Sequence, residues 1–365
     1  KSSRLSTCFK ELYNKLTINT IIKIFESIFE LQIKAAFERL SEKHSSCLSR
    51  ELVTVVLDDS IFKQWLSSFQ AGETFASCFS CFFSGQFNST VYGFKNCCIG
   101  VVIDGIYYPL YFDYVPKKKK EDGAKYSIQI ETAIKLVKRL GKFKQHLKGK
   151  GIDLGKLRFS ADSGYSDIYL ADVCEENDLI YISVPKKSHT FLIDGSTMKL
   201  SKWITTEFLR LEEEYNIVQK DMPKSEQKPF FYRFRGFYKS KKRSVVLVAF
   251  RLNGSKRVSI IYTTSTDEKA KTLRRHWFQR TYIEQFFKIL KHVLKIQENR
   301  TKTKDAMSFK FLRFAFMAFH VQKLVRFIRK SIPEFRKKGF IAVQRIIRKQ
   351  EYFLDLLQNR ISIIY

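Results

Sequence analysis

The sequence has few acidic side chains for its size, with 36 Asp and Glu residues against 66 Lys and Arg residues. The formal charge of +30 is far from that of a neutral metabolic enzyme. No apolar run of about 18 uncharged residues occurs, so we expect no transmembrane helix and no membrane partner. The first residues show no signal-peptide pattern. The sequence begins with Lys1 rather than Met, which leaves open whether further residues precede it.

Cysteines are few: there are seven, an odd number in a long chain. This usage predicts reduced thiols and therefore a reducing, cytoplasmic compartment. Internal repeats and low-complexity tracts are absent as well. Apolar residues, in contrast, make up 44% of the chain and include 34 Phe. Such a chain can bury a large core, which excludes global disorder, and 365 residues predict one elaborated domain or two to three domains.

The positive charge is concentrated in parts of the chain. Residues 1–116 are neutral overall, whereas residues 117–150, 219–257 and 268–365 carry net charges of +9, +10 and +17. A uniformly basic surface is the alternative reading. Clustering in three segments favours a surface that follows a phosphate backbone, and so predicts a polyanionic partner, most often nucleic acid.

The hydrophobic patterns predict a series of strands and helices. In chain order these are a strand at 52–57, a hairpin of strands 97–103 and 106–112, a helix at 126–147, a strand at 156–162, a helix at 166–177 and a strand at 179–184. The Asp104-Gly105 pair is a strong two-residue turn signal for the hairpin. A hairpin followed by βα units implies a mixed sheet, antiparallel on one side. This order matches the α/β ribonuclease-H-like fold.

The remaining segments complete a predicted domain organisation. Residues 71–96 are expected to be irregular, and residues 268–295 form one long amphipathic helix. Strands are expected at 190–194, 230–237, 243–250 and 257–264, with polar loops between them. The predicted regions are an N-terminal helical region at 1–50, a ribonuclease-H-like catalytic domain at 51–185 and 267–300, a β-rich insertion at 186–266, and a C-terminal basic helical region at 301–365.

Three carboxylates hold notable positions in this pattern. Asp58 ends the first predicted strand, Asp162 ends the fourth, and Glu284 lies in the long helix. The first and fourth strands would be neighbours, so their ends would bring the two aspartates together, and the helix would add Glu284. Gathered carboxylates repel one another unless a cation lies among them, and their oxygens suit two Mg²⁺ ions, with Mn²⁺ as a substitute. The alternative is that strand-end aspartates only cap turns, and Asp59 remains a rival to Asp58.

The long helix also carries a recognisable motif. Its segment WFQRTYIEQFFKILK starts at Trp277 and resembles the Tyr-x2-Arg-x3-Glu-x6-Lys (YREK) signature of DDE-type transposases of bacterial insertion sequences. Trp277 replaces the tyrosine, and Arg280, Glu284 and Lys291 fit the other positions. The blocks LDDS at 57–60 and SADSGYSD at 160–167 are similar to those around the first and second catalytic Asp of that family.

The resemblance implies a function and a set of site residues. It implies a cut-and-paste transposase that hydrolyses DNA at transposon ends with two metal ions and then joins the free 3′-OH to target DNA. Asp58, Asp162 and Glu284 would be the catalytic metal ligands, and the enzyme would act as a homodimer on DNA in the bacterial cytoplasm, at the nucleoid. The candidate DNA-contacting residues are Trp277, Arg280, Lys288, Lys291, Lys117, Lys118, Lys119 and Lys120. The alternatives are a related Mg²⁺-dependent nuclease without strand transfer, domesticated or not, and a non-catalytic DNA-binding protein.

Overall fold

The computed structural model describes residues 27, 30, 53–63, 79–84, 88–103, 105–116, 127–186, 188–220, 222–223, 229–238, 242–251 and 257–293. Several predictions fall elsewhere. Lys117 to Lys120, Asp104 of the predicted turn, nearly all of the N-terminal helical region and the whole C-terminal region lie outside the described residues. Within the described part, no helix is both long enough and apolar enough to cross a membrane.

Within the residues that the structure describes, eleven strands form one sheet. They are β1 (Val53–Lys63), β2 (Phe79–Ser84), β3 (Ser89–Ile103), β4 (Ile106–Tyr114), β5 (Leu157–Ala161), β6 (Leu179–Ser183), β7 (Thr190–Ile193), β8 (Ser196–Lys199), β9 (Phe231–Tyr238), β10 (Arg243–Arg251) and β11 (Val258–Thr263). Their order is β2-β3-β1-β5-β6-β11-β10-β9-β7-β8, with β4 also paired to β3. β1, β5 and β6 are parallel to one another, and the flanking pairs are antiparallel. This mixed α/β sheet confirms the predicted fold class.

The helices of the described segments from residue 127 onward are interspersed with the strands. They are α1 (Ile128–Gly149), α2 (Ile168–Glu176), α3 (Leu200–Trp203), α4 (Leu209–Lys220), α5 (Ala270–Phe278) and α6 (Thr281–Lys288). A 3₁₀ turn occupies Ser163–Tyr165, and π-helical turns occupy Ile204–Phe208 and Ile289–Val293.

The two faces of the sheet are covered by different helices, because successive strand residues point to opposite sides. Val53, Val55 and Leu57 of β1 belong to a core that includes the buried residues of α1 and α2. On the other face, Ile180 of β6 and Leu273 of α5 share a second apolar cluster. Alternate residues of a strand therefore contact different helices.

The hairpin is present, but its surroundings were predicted wrongly. Ile103 of β3 pairs with Ile106 of β4, and Gly105 has a φ of +73°, which suits a tight turn. β3 begins eight residues earlier than predicted, and β2 pairs with its first half. Residues 71–96 lack clear alternation, so this pairing depends on contacts distant in sequence rather than on local pattern.

The region 186–266 contains the four predicted strands and also a helical segment that was predicted as loop. α3, the π-helical turn and α4 run through residues 200–220, and bury Leu200, Trp203 and Phe208. β11 pairs with β6, so strands of this region continue the central sheet. The domain boundaries themselves stay a prediction.

The long helix expected over residues 268–295 is interrupted. α5 ends at Phe278 and α6 begins at Thr281. Around the junction the backbone forms i→i−3 bonds, from Gln279 N to His276 O (3.2 Å) and from Arg280 N to Trp277 O (3.3 Å). Such bonds tighten a helix to 3₁₀ geometry. The residues on either side therefore do not share one continuous helical face, contrary to the expectation.

Candidate active site

The first two candidate carboxylates follow a parallel strand pair in register. In the ladder of β1 and β5, Leu57 pairs with Ala161, and Asp58 and Asp162 are the next residues on each strand. The prediction that their strands are neighbours is confirmed. β1 itself continues to Lys63 along β3, so Asp58 lies within its strand, at the point where pairing with β5 ends.

Asp58 is a largely buried carboxyl group that lies close to other carboxylates. Burial, followed by the nearby charges of Asp162 and Asp59, raises its pKa to about 8, and Arg280 partly opposes this rise. Its Oδ1 accepts one hydrogen bond from the backbone N–H of Asp59 at 2.9 Å. A carboxyl group with this pKa ionises fully near neutral pH only when a cation approaches it.

Asp162 lies on the turn that leaves β5. Its Oδ1 accepts a hydrogen bond from Gly164 N at 2.8 Å, which caps the 3₁₀ turn Ser163–Tyr165. Its carbonyl accepts a hydrogen bond from Ser183 Oγ at 2.9 Å. A Cβ on Gly164 would lie 3.0 Å from that Oδ1 and 3.2 Å from Gln129 Nε2. Glycine therefore permits the close approach of Asp162 and α1 here.

Glu284 is linked to Asp58 by the side chain of Arg280. The guanidinium of Arg280 lies 3.2 Å from Glu284 Oε1 and 3.7 Å from Asp58 Oδ2. It thus bridges two of the three candidate carboxylates. Glu284 remains 44% exposed, whereas Asp58 is 13% exposed, so the glutamate lies at the solvent side of the site.

Asp59 points away from this site and is fully paired. Its Oδ1 lies 3.1 Å from Lys95 Nζ. Its Oδ2 accepts hydrogen bonds from Gln129 Nε2 at 2.8 Å and from the Tyr165 hydroxyl at 2.5 Å. The two adjacent aspartates therefore lie in different environments. Asp59 has a part-buried lysine of its own, whereas Asp58 has neighbouring carboxylates and shares its cation with Glu284.

The other candidate residues on the predicted helix have separate environments. Trp277 packs edge-on against Phe250, with ring centroids 5.9 Å apart. Its indole Nε1 is buried and has no hydrogen-bond partner among the described residues. Lys291 lies over the ring of Phe62 at 5.5 Å, and burial lowers the pKa of its ammonium group. Lys288 is exposed.

Residues 145–319 match the family model of the transposase DDE domain. The match supports the DDE-type transposase family. It covers slightly less than half of the chain and includes Asp162, Arg280 and Glu284, while Asp58 precedes it. No curated protein matches the chain at a significant level.

DDE transposases generally use divalent metal ions, and part of this site fits one. Asp58 and Asp162 offer oxygen donors that repel each other, which is the arrangement a divalent cation relieves. No group of three His, Cys, Asp or Glu side chains in the described part of the chain is arranged to hold a metal. Glu284 is paired with Arg280 instead, so the aspartates fit a cation and the glutamate is held beside them.

Sequence reasoning missed three residues around the site. Lys95, Gln129 and Tyr165 surround Asp59 and were not singled out. Tyr165 lies in the SADSGYSD block, so its position three residues after Asp162 was a usable signal. Lys95 and Gln129 come from distant elements, and their positions have no local signal.

Proposed function

We propose that this protein is a cut-and-paste DNA transposase of the bacterial insertion-sequence group with the YREK signature, and that Asp58, Asp162 and Glu284 are its catalytic carboxylates. The observation that carries the proposal is the pair of aspartates after the in-register residues Leu57 and Ala161, with Arg280 linking Asp58 to Glu284. The match of residues 145–319 to the transposase DDE domain supports it.

Asp58 and Asp162 would hold Mg²⁺, and Glu284 would complete the ligand set when Arg280 pairs with a DNA phosphate instead. Two bound Mg²⁺ ions would activate the attacking water or 3′-OH and stabilise the leaving oxygen of the cut strand. Asp58 is the better first ligand than Asp59, because Asp59 already pairs with Lys95 and accepts two further hydrogen bonds. Mn²⁺, with similar oxygen preference, would substitute.

The cationic residues near the carboxylates would position DNA. Arg280 and the exposed Lys288 lie on the segment that carries Glu284, where they would bind phosphates beside the cut. Lys291 is partly buried over Phe62 and would act at the rim of the site. For Trp277, the packing against Phe250 favours support of α5 over base stacking.

Double-stranded DNA would be the substrate at both stages, first as the transposon end and then as the target. The charge of +30 supports a polyanionic substrate. A homodimer would hold two transposon ends together in the bacterial cytoplasm, at the nucleoid. Lys117 to Lys120 would add phosphate contacts.

The test is a combined cleavage and joining assay. The substrate is duplex DNA that carries the terminal repeats of the encoding element, with Mg²⁺ and a target plasmid. Asp162→Asn and Glu284→Gln should each reduce both activities by about 1000-fold or more, because each removes a group needed for transition-state stabilisation. Glu213→Gln changes the charge equally at an exposed position of α4 and should leave both activities unchanged.

The outcomes separate the proposal from its alternatives. Equal activity in wild type and both site variants would refute the catalytic assignment. Cleavage without joining would identify a nuclease, and DNA binding without either reaction would identify a non-catalytic DNA-binding protein.

A further inference from the structure

Asp59 joins three separate parts of the fold on the face of β1 opposite Asp58. Lys95 comes from β3, Gln129 from the first turn of α1, and Tyr165 from the turn after β5. Lys95 also donates a hydrogen bond to Gln129 Oε1 at 3.1 Å. The carboxylate is thus held by partners that also contact one another, which fixes its orientation more tightly than a single ion pair would.

Tyr165 connects this group to the second catalytic aspartate. It is the last residue of the turn that Asp162 caps, and its backbone N–H donates to the Asp162 carbonyl at 3.2 Å. Its side chain is fully buried, and its hydroxyl donates to Asp59 Oδ2 and lies 3.3 Å from Cys97 Sγ. The Tyr181 hydroxyl donates to the Tyr165 carbonyl. The turn is therefore held from both its side chain and its backbone.

Asp59 and Tyr165 are close in sequence to the two candidate catalytic aspartates, and this makes their contacts relevant to the site. Asp59 follows Asp58 directly, and its N–H donates to Asp58 Oδ1. A displacement of Asp59 would move the peptide that orients Asp58, and a displacement of Tyr165 would move the turn that carries Asp162. Hydrophobic packing alone could hold β1 against β5, but packing is non-directional and would not fix the angle between two carboxylates.

We propose that Asp59 is a positioning residue, which acts through Tyr165 to hold the turn of Asp162 in place against the strand of Asp58. The inference rests on the proposed function, because it assigns Asp59 a role in the same reaction. A reacting group displaced by about 1 Å can cost on the order of 100-fold in rate. Loss of the Tyr165 hydroxyl should therefore reduce turnover without weakening DNA binding.

The experiment compares two variants of the Asp59 group with one matched control. Tyr165→Phe removes only the hydroxyl, and Asp59→Asn removes only the charge. The control, Glu268→Gln, removes one carboxylate charge from the ion pair with Arg158. That pair is buried to a similar degree, and Arg158 lies at the other end of β5.

Four quantities are measured for each full-length variant: kcat and KM for DNA cleavage, the thermal midpoint without metal, and the rise in that midpoint on adding Mn²⁺. A ligand that binds the folded state raises the midpoint. For Tyr165→Phe and Asp59→Asn we expect kcat to fall about 10- to 100-fold, with KM unchanged and a smaller Mn²⁺-induced rise. Glu268→Gln should lower only the midpoint without metal.

Wild-type kcat and a wild-type Mn²⁺ response in Tyr165→Phe and Asp59→Asn would overturn the inference. Equal losses of kcat and Mn²⁺ response in Glu268→Gln would also overturn it, because they would show general destabilisation. Asp58→Asn and Asp162→Asn test the proposed function separately. If those two abolish cleavage and the Asp59 group has no effect, only the positioning role fails; if they retain cleavage, the proposed function fails.

Discussion

The two faces of β1 place the adjacent residues Asp58 and Asp59 in different electrostatic environments. On the face toward α1, Asp59 has a lysine and two hydrogen-bond donors. On the face toward α5 and α6, Asp58 meets Asp162, and its nearest cation, Arg280, is shared with Glu284. Burial raises the pKa of both carboxyl groups, but at Asp59 a lysine and the Tyr165 hydroxyl oppose the rise, whereas at Asp58 the opposing cation is shared. The difference separates a residue that stabilises the fold from one that remains available to a ligand, as is common for functional sites.

The strongest test replaces the carboxyl group of Asp58 by an amide. Asp58→Asn should reduce DNA cleavage by about 1000-fold or more. The same change should stabilise the metal-free protein at pH 7, by on the order of 2 kcal/mol, because the native carboxyl group, with a pKa raised to about 8, must take up a proton that the unfolded chain does not bind at that pH. Activity assays and urea unfolding measure the two effects. A destabilised Asp58→Asn protein would contradict the described imbalance.

The next test removes the cation from the Asp59 face. Lys95→Met leaves the Asp59 carboxylate part-buried without its partner, and should cost about 2–3 kcal/mol of unfolding free energy. The double variant Lys95→Met/Asp59→Asn should recover much of that loss, since no unpaired charge remains. Urea unfolding of both variants checks this. Equal stability of the single and double variants would contradict this account, because it would show that the unpaired Asp59 carboxylate carries no cost.

A third test uses pH on the Asp58 face, where His276 Nδ1 lies 2.6 Å from Thr54 Oγ1. Burial, assisted by Arg158 and Arg275, lowers the pKa of His276 to about 3. The unfolded chain protonates this imidazole below about pH 6.5, whereas the native state does not. Stability should therefore decrease as pH falls from about 6.5 toward 3, by about 1.4 kcal/mol per pH unit.

His276→Gln removes this titration and serves as the comparison. The difference in unfolding free energy between wild type and His276→Gln should change by about 1 kcal/mol between pH 6.5 and 5.5. A difference that is independent of pH in this window would show that His276 titrates alike in both states.

The smallest expected effect concerns the bridge between Asp58 and Glu284. Arg280→Gln removes the cation that opposes the raised pKa of Asp58. Because the pair is at 3.7 Å and partly exposed, the loss of stability without DNA should be about 0.5 kcal/mol and should shrink with added salt. Urea unfolding at low and high salt measures it. A loss that does not respond to salt would indicate packing rather than charge as its cause.

Sequence patterns predicted much of this fold because the patterns were local. Local sequence alone indicates the apolar strand before Asp58, the strand before Asp162 and the Asp-Gly turn. Residues 200–220 and β2 were missed, because their structure depends on packing against partners far along the chain. The junction between Phe278 and Thr281 was missed as well, since helical periodicity continues through it.

Part of the candidate site could likewise be predicted from local sequence, and part could not. Asp58, Asp162 and Glu284 could be named from strand ends, helix spacing and motif blocks. The choice of Asp58 over Asp59 rested on resemblance alone until the partners of each were known. Trp277 and Glu284 were expected in one long helix, but the tightened backbone at Arg280 separates α5 from α6 and gives them different neighbours.

The sequence by itself determined the basic charge, the mixed α/β sheet and the positions of the acidic residues, because charge is additive along the chain and strand periodicity is local. Tertiary contacts alone determine which of the two adjacent aspartates has a lysine of its own. Because side chains alternate along a strand, Asp58 and Asp59 lie on opposite faces. The partners of Asp59, however, come from three distant segments that contribute Lys95, Gln129 and Tyr165. The environment of a buried charge is a sum over neighbours in space, which no local pattern contains.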